Sequence, residues 1–200
     1  MLILQDSYIR LTPLSIGHFD ALMEIAKARP DTWQYTPNTA YGRENMQRYI
    51  ETALLKRTAG THIPFAIALQ ENGRILGSTR FCDIDHHHQS ASIGCSWLHC
   101  QMRGKSINKR SKFLMLQHAF EVWDMQRIHF TADVNNTASI SALLNIGCTQ
   151  EGVLRSHLVL SDGRRRDTAV FSILQHEWHG RIKSMLAAKI KAQANVSDGI

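Results

Sequence analysis

Between Trp97 and Trp123 the chain reads WLHCQMRGKSINKRSKFLMLQHAFEVW: an apolar segment, a short turn with a glycine, then apolar residues recurring at helical spacing. That order dictates a strand feeding directly into a helix. The first N–H groups of such a helix have no intrahelical partner and face the turn, which carries Gln101, Arg103, Gly104, Lys105 and Ser106. No Asp or Glu occurs from His86 through Phe120, whereas Arg103, Lys105, Lys109, Arg110 and Lys112 all do. Cations in the first turns of a helix oppose its dipole, and a bound polyanion would neutralise them. A solvated basic face is the plainer alternative.

The remaining segments are arranged around this unit. Residues 8 to 14 alternate like a strand, with Pro13 marking an edge position or a strand end. His18 to Ala28 places Phe19, Leu22, Met23, Ile25 and Ala26 at helical spacing, and Arg29-Pro30-Asp31 ends that helix. A second helix is expected over Arg43 to Arg57, stopped at Ala59-Gly60. The period then becomes two, and residues 63–70 and 75–84 form a hairpin around Asn72-Gly73. Beyond the helix of residues 107 to 123, residues 127–134 read as a buried strand. Asn135 or Asn136 caps a short helix ending at Gly147, and strands over 148–160 and 165–174 meet at Asp162-Gly163. A last helix from about Glu177 leads to a polar tail from about residue 188. This order of elements implies an α/β (α+β) protein with a mixed sheet covered by helices.

Two hundred residues, 44% of them apolar, suit one domain with a single sizeable core. The net charge of +6 favours an anionic ligand without naming it. Cys82, Cys95, Cys100 and Cys148 contain no CxxC pair, so reduced structural thiols are expected. No apolar run approaches a membrane span of ~18 residues, and Met1 to Arg10 lacks the pattern of a secretory leader. A soluble cytoplasmic protein is expected. His86, His87, His88 and His99 suggest metal ligands, but neighbouring residues point different ways and no acid or Cys completes a set, so no metal site is expected.

Gly104-Lys105-Ser106 invites a phosphate-loop reading, which requires a glycine five positions before Gly104; that residue is His99. The turn fits Q/R-x-x-G-x-G/A better, as Gln101-Met102-Arg103-Gly104-Lys105-Ser106, with Ser106 in place of the usual Gly or Ala. This resembles the acetyl-coenzyme A loop of the GNAT N-acetyltransferases. The order RGKSIN, N-x-x-S, IGCTQEGVLRSH, DGRRRDT and FSILQHEW, within residues 8 to 178, is similar to their RimJ/RimL-type branch.

The resemblance implies a single GNAT domain over residues 1 to 200, with a mostly antiparallel sheet of about seven strands. A splayed parallel pair, 90–100 and 127–134, would hold the pantetheine arm of acetyl-CoA, with Trp97 and Leu98 bonding it. The diphosphate would rest on residues 102 to 106, met by Arg103, Lys105 or Arg110. Asn136 would contact the pantetheine arm. Ser139 would protonate the leaving thiolate, since Leu143 stands where many relatives carry a Tyr; a helix-start role for Ser139 remains open. Ser92 stands where a Glu base is frequent, which leaves His157 as the candidate base. Trp33, Tyr35 and Phe81 are candidates for the acceptor pocket, or plain core. The expected acceptor is a peptide or protein N-terminus, with a small amine, amino acid or antibiotic as the alternative, and a homodimer is possible. A non-catalytic CoA-binding module is one rival class, raised by the missing Glu and Tyr. A nucleic-acid-binding module is another, though no aromatic-interleaved basic stripe supports it and neither nucleic acid nor membrane is expected as a partner.

Overall fold

The computed structural model describes residues 1–102 and 104–197. The elements in order are β1 (Leu4–Gln5), β2 (Ile9–Pro13), α1 (Phe19–Lys27), α2 (Arg43–Thr58), β3 (Ile63–Leu69), β4 (Ile75–Asp85) and β5 (Ser90–Leu98). They continue with α3 (Ile107–Glu121), β6 (Arg127–Asp133), α4 (Thr137–Asn145), β7 (Thr149–Val159), β8 (Arg165–Leu174), α5 (Gln175–Glu177) and α6 (Lys183–Ser197). A π-helical turn, Trp178–Ile182, joins α5 to α6.

The strands form one sheet in the order β1-β2-β3-β4-β5-β6-β8-β7. Only β5 and β6 run parallel. The sheet has eight strands rather than seven, because Leu4–Gln5 pairs with Leu11 and Arg10; two residues are too few to show a period. β1 takes the edge, and Pro13 closes an interior strand. The polar tail expected from residue 188 is helical through Ser197. Its Ala, Lys and Gln are strong helix formers, and the Lys189 amine ties it to α4 by donating to the Asn145 carbonyl at 2.7 Å.

Two apolar cores lie on opposite faces. One joins Phe65, Phe81, Ile93, Met115, Phe120, Phe130 and Phe171 to Trp178. The other packs Leu22, Ile25, Met46 and Ile50 of α1 and α2 on Ala66 and Trp97. Ile93 and Trp97 thus belong to different cores, although simple alternation puts them on one face. A bulge explains this. The β4–β5 register slips between Ser78↔Trp97 and Arg80↔Gly94, so Cys95 and Ser96 together oppose Thr79, and Cys95 adopts φ 48°. The extra residue sends Trp97 to the α1–α2 side and turns Cys95 and Ser96 to solvent.

Candidate active site

The parallel pair is short. Ser90, Ala91 and Ser92 pair with Arg127, Ile128 and His129, and beyond that β5 and β6 separate. The backbone of β5 from Ile93 to Leu98 therefore lacks a partner strand on that side. Cys95 and Ser96 stand exposed on one rim and Thr131 on the other. This wedge ends at the turn that begins α3.

Leaving β5, the His99 N–H donates to the Leu76 carbonyl at 2.8 Å, and Cys100–Met102 form a single 3-10 turn. Gly104 takes φ 76°, a left-handed conformation that suits glycine. Ser106 stands at the N-terminal boundary of α3 without a side-chain capping bond, and the first turn of the helix contains no acid. Lys105 is exposed and makes no hydrogen bond or ion pair among the described residues. Arg103 lies outside the described residues. Arg110 is already engaged: Nη1 donates to Asp6 Oδ2 at 2.7 Å, Nε donates to Ser106 Oγ at 3.1 Å, and the guanidinium lies over the Tyr8 ring. It braces the turn, and among the described residues of the turn Lys105 is a cation open to an anion. Gln101 is exposed, and Met102 packs its side chain against the core.

The wedge floor is polar on both faces. Toward α3, Lys112 is buried with no carboxylate partner among the described residues: its amine donates to Ser96 Oγ at 2.6 Å and Thr79 Oγ1 at 3.2 Å, and burial pulls it down to about 8. Toward α2, Arg80 is 4% exposed and lies 4.5 Å over the Tyr49 ring, while its Nε and Nη2 find no acceptor among the described residues. Tyr49 donates to Ser78 Oγ at 3.2 Å and accepts from Trp97 Nε1 at 3.1 Å. Trp97 also meets Trp33 edge to face, 5.2 Å between centroids.

Past the β6 rim, Asn136 caps α4 by accepting the Ser139 N–H on Oδ1 at 3.0 Å, which leaves its amide nitrogen free to donate. Ser139 is half-buried, and its hydroxyl makes no hydrogen bond among the described residues. The two are thus held together just past the end of β6, the strand that forms one rim of the wedge. Asp133, immediately before, is 1% exposed. Its Oδ1 accepts the Asn135 N–H at 2.8 Å, and Oδ2 accepts no hydrogen bond, its partner being Arg164 Nη1 at 3.9 Å.

His157 is placed elsewhere. It lies on β7, the exposed edge strand, with β8 between it and the β6 rim. The β7–β8 register slips there, and Ser156 takes φ 52°. Phe81 is fully buried in the α3-side core against Phe65 and Trp123, as a packing residue, because alternation along β4 puts its side chain on the face opposite Arg80 and α2. Trp33 and Tyr35 lie on the loop between α1 and α2. Their loop is fastened to β8, with Arg166 Nη1 donating to the Tyr35 carbonyl at 3.2 Å and Arg164 Nη2 to the Gln34 carbonyl at 3.2 Å. An open cavity of about 290 Å³ lies there, lined by Pro30, Trp33, Gln34, Thr39, Tyr41, Ser161 and Asp162. Arg80, Cys95, Lys112 and Asp133 escape sequence reasoning. The one usable signal is a lone Arg inside the apolar strand ILGSTRFCDI.

Comparison with known proteins agrees with this geometry. The model of a family described as an acetyltransferase (GNAT) domain matches residues 9–149. YdaF of Bacillus subtilis (strain 168), provisionally named a ribosomal N-acetyltransferase, is 28% identical over 109 residues, 54% of this chain and 58% of YdaF. The matched stretch thus spans little more than half of that relative's length. A GCN5-related N-acetyltransferase from Brucella melitensis superposes with a TM-score of 0.85 at 25% identity, over 94% of this chain and 85% of the other. Mycobacterium smegmatis RimJ, solved in complex with CoA-disulfide, shares the fold at TM-score 0.79 and 24% identity, over 90% and 88% of the two chains. Among the described residues no helix is long and apolar enough to cross a membrane.

Proposed function

The chain belongs to the GNAT acetyltransferase family, and from that membership we propose that it transfers the acetyl group of acetyl-CoA to a primary amine, most simply the N-terminus of a peptide or protein. The observation that carries this is the wedge between β5 and β6 beyond Ser92 and His129, opening onto a glycine turn at a helix start. Its donors fit the cosubstrate. The unpaired β5 backbone suits an amide-bearing pantetheine arm, and the α3 amides with Lys105 suit a diphosphate. The thioester supplies an activated acetyl group. The chain's part is to hold it, exclude water and place donors where charge develops.

Ser139 is the proposed proton donor to the departing sulfur, because its hydroxyl is free just past the β6 rim of the wedge and Asn136 fixes the turn that presents it. An α-amino acceptor has a pKa near 8 and needs less help from a base than a lysine amine. The loop carrying Trp33 and Tyr35, with its open cavity beside Trp33, whose ring packs on Trp97, supports an acceptor that enters end-on, as a chain terminus does.

The test is a transfer assay against peptides with free N-termini, the same peptides blocked at the N-terminus, and small amines, with coenzyme A stabilisation read in parallel. Transfer to free N-termini is expected; transfer only to small amines would reassign the acceptor. Ser139→Ala is expected to lower turnover roughly a hundredfold while leaving coenzyme A stabilisation in place, and unchanged turnover would remove Ser139 from the mechanism.

A further inference from the structure

Cys95 is a thiol that the transfer just described does not use. It occupies the bulge of β5, exposed to solvent, where β5 has left β6 and an acyl group delivered along the wedge would arrive. Its φ of 48° is strained for a residue with a side chain, a state that persists only where surrounding structure enforces it. Here the register slip enforces it, with the Tyr49 hydroxyl 3.4 Å from the Cys95 carbonyl.

Two neighbours point to an anion at this sulfur. Cys82, buried on β4, lies next to Cys95, its Sγ 3.9 Å from where a Cβ on the neighbouring Gly94 would stand. Arg80, beside it, is more than nine-tenths buried and keeps two guanidinium nitrogens, Nε and Nη2, without an acceptor among the described residues. A buried guanidinium with idle donors is costly unless something negative shares its site. The neighbouring Cys82 thiol, then Arg80 and Lys56 by their charge, hold the Cys95 thiol below the ordinary cysteine range, and Cys82 is correspondingly pushed up. Cys148 shows the contrast: it is buried in the apolar core, and desolvation raises it to about 12.

We propose that Cys95 is an acyl-accepting thiol, which in the absence of an amine takes the acetyl group from the acetyl-CoA thioester to give S-acetyl-Cys95 and free coenzyme A. The Cys95 sulfur forms a bond to the acetyl carbon, and the bond from that carbon to the coenzyme sulfur breaks. The departing thiolate takes up one proton. One thioester replaces another, so no oxidant or reductant is needed. The idle Arg80 donors stabilise the thiolate before attack, and the exchange runs backwards when coenzyme A is added. This rests on the reading of the wedge as the acetyl-CoA site.

The test incubates the full chain with acetyl-CoA and no amine. Intact mass and peptide mapping follow adducts, exchange of labelled coenzyme A into acetyl-CoA follows the reverse step, and melting with coenzyme A follows binding. One acetyl adduct is expected on the wild-type chain, located on Cys95 and removed by hydroxylamine. Cys95→Ser should lose the adduct and lower the exchange roughly tenfold or more, while coenzyme A still stabilises the variant, which shows it folded. Cys148→Ser should keep both signals. An adduct that resists hydroxylamine, one that survives in Cys95→Ser, or none while coenzyme A still stabilises the wild-type chain overturns the proposal alone. If coenzyme A does not stabilise the wild-type chain either, the proposal and the acetyl-CoA reading fall together.

Discussion

Replacing Gly77 with alanine is expected to destabilise the protein by at least about 3 kcal/mol, at the upper end of overpacking costs, and to lower its melting temperature by roughly 10 °C. A Cβ on Gly77 would sit 2.1 Å from the Trp97 carbonyl oxygen and 3.0 Å from Leu98 Cα. Both obstacles are backbone, so no side-chain rotation relieves the clash. Gly77 pairs with Leu98, and next to it the Leu76 carbonyl accepts the His99 N–H. Pushing β5 away from β4 would break that bond, draw Trp97 from Trp33 and Tyr49, and shift the turn that starts α3. The variant should therefore also lose its stabilisation by coenzyme A. Gly94 on β5 is the control: a Cβ there meets only Cys82 Sγ at 3.9 Å, an ordinary contact, so Gly94→Ala should stay within about 0.5 kcal/mol of wild type. Thermal unfolding of both variants with and without coenzyme A decides it. Equal melting temperatures for Gly77→Ala and wild type would show that the β4–β5 contact is not as close as described.

The same bulge explains how far the sequence could be read. Its strand, turn and helix from Trp97 to Glu121, the hairpin at Asn72-Gly73 and the cap at Asn136 were legible, because each is written in local period or in a residue with a specific turn chemistry. The facing of side chains beyond Gly94 was not. Alternation through Ala91, Ile93, Cys95 and Trp97 puts all four on one face, and a single inserted residue reverses the last two. Hence Cys95 reads as a structural thiol, although it lies open in the wedge. The placement of Phe81 in the core and of His157 on the edge strand was out of reach for a related reason. An aromatic or an imidazole carries no mark of which face it takes or how many strands separate it from the site. Arg110 reads as a phosphate ligand because its partner, Asp6, stands more than a hundred positions away. Buried charges such as Arg80, Lys112 and Asp133 depend on long-range pairing in the same way.

Lys112→Met is expected to stabilise the protein, by as much as about 3 kcal/mol at neutral pH. Lys112 is 4% exposed, its amine has two hydroxyls and, among the described residues, no carboxylate for company, and burial holds it at about 8 against 10.5 for a solvated lysine. Methionine fills nearly the same volume without a charge. The two hydroxyls need not be orphaned, since Thr79 Oγ1 and Ser96 Oγ already lie 2.7 Å apart and can bond each other. The sign follows from proton linkage. Below about pH 8 the amine is charged in both the folded and the unfolded chain, so the whole penalty of burying the charge is present and does not vary with pH. Between about 8 and 10.5 the unfolded chain still binds the proton that the folded chain has released, so wild-type stability rises toward that of the variant. Above 10.5 both are neutral and the gain from Lys112→Met should vanish. Denaturant unfolding of the two proteins at pH 7 and across the alkaline range measures this difference directly, and other titrating groups cancel between them. A variant less stable than wild type at pH 7 would mean that the ammonium is held by its two hydroxyls strongly enough to offset its desolvation. A gain that does not shrink with rising pH would mean that better packing, rather than removal of a charge, produces it.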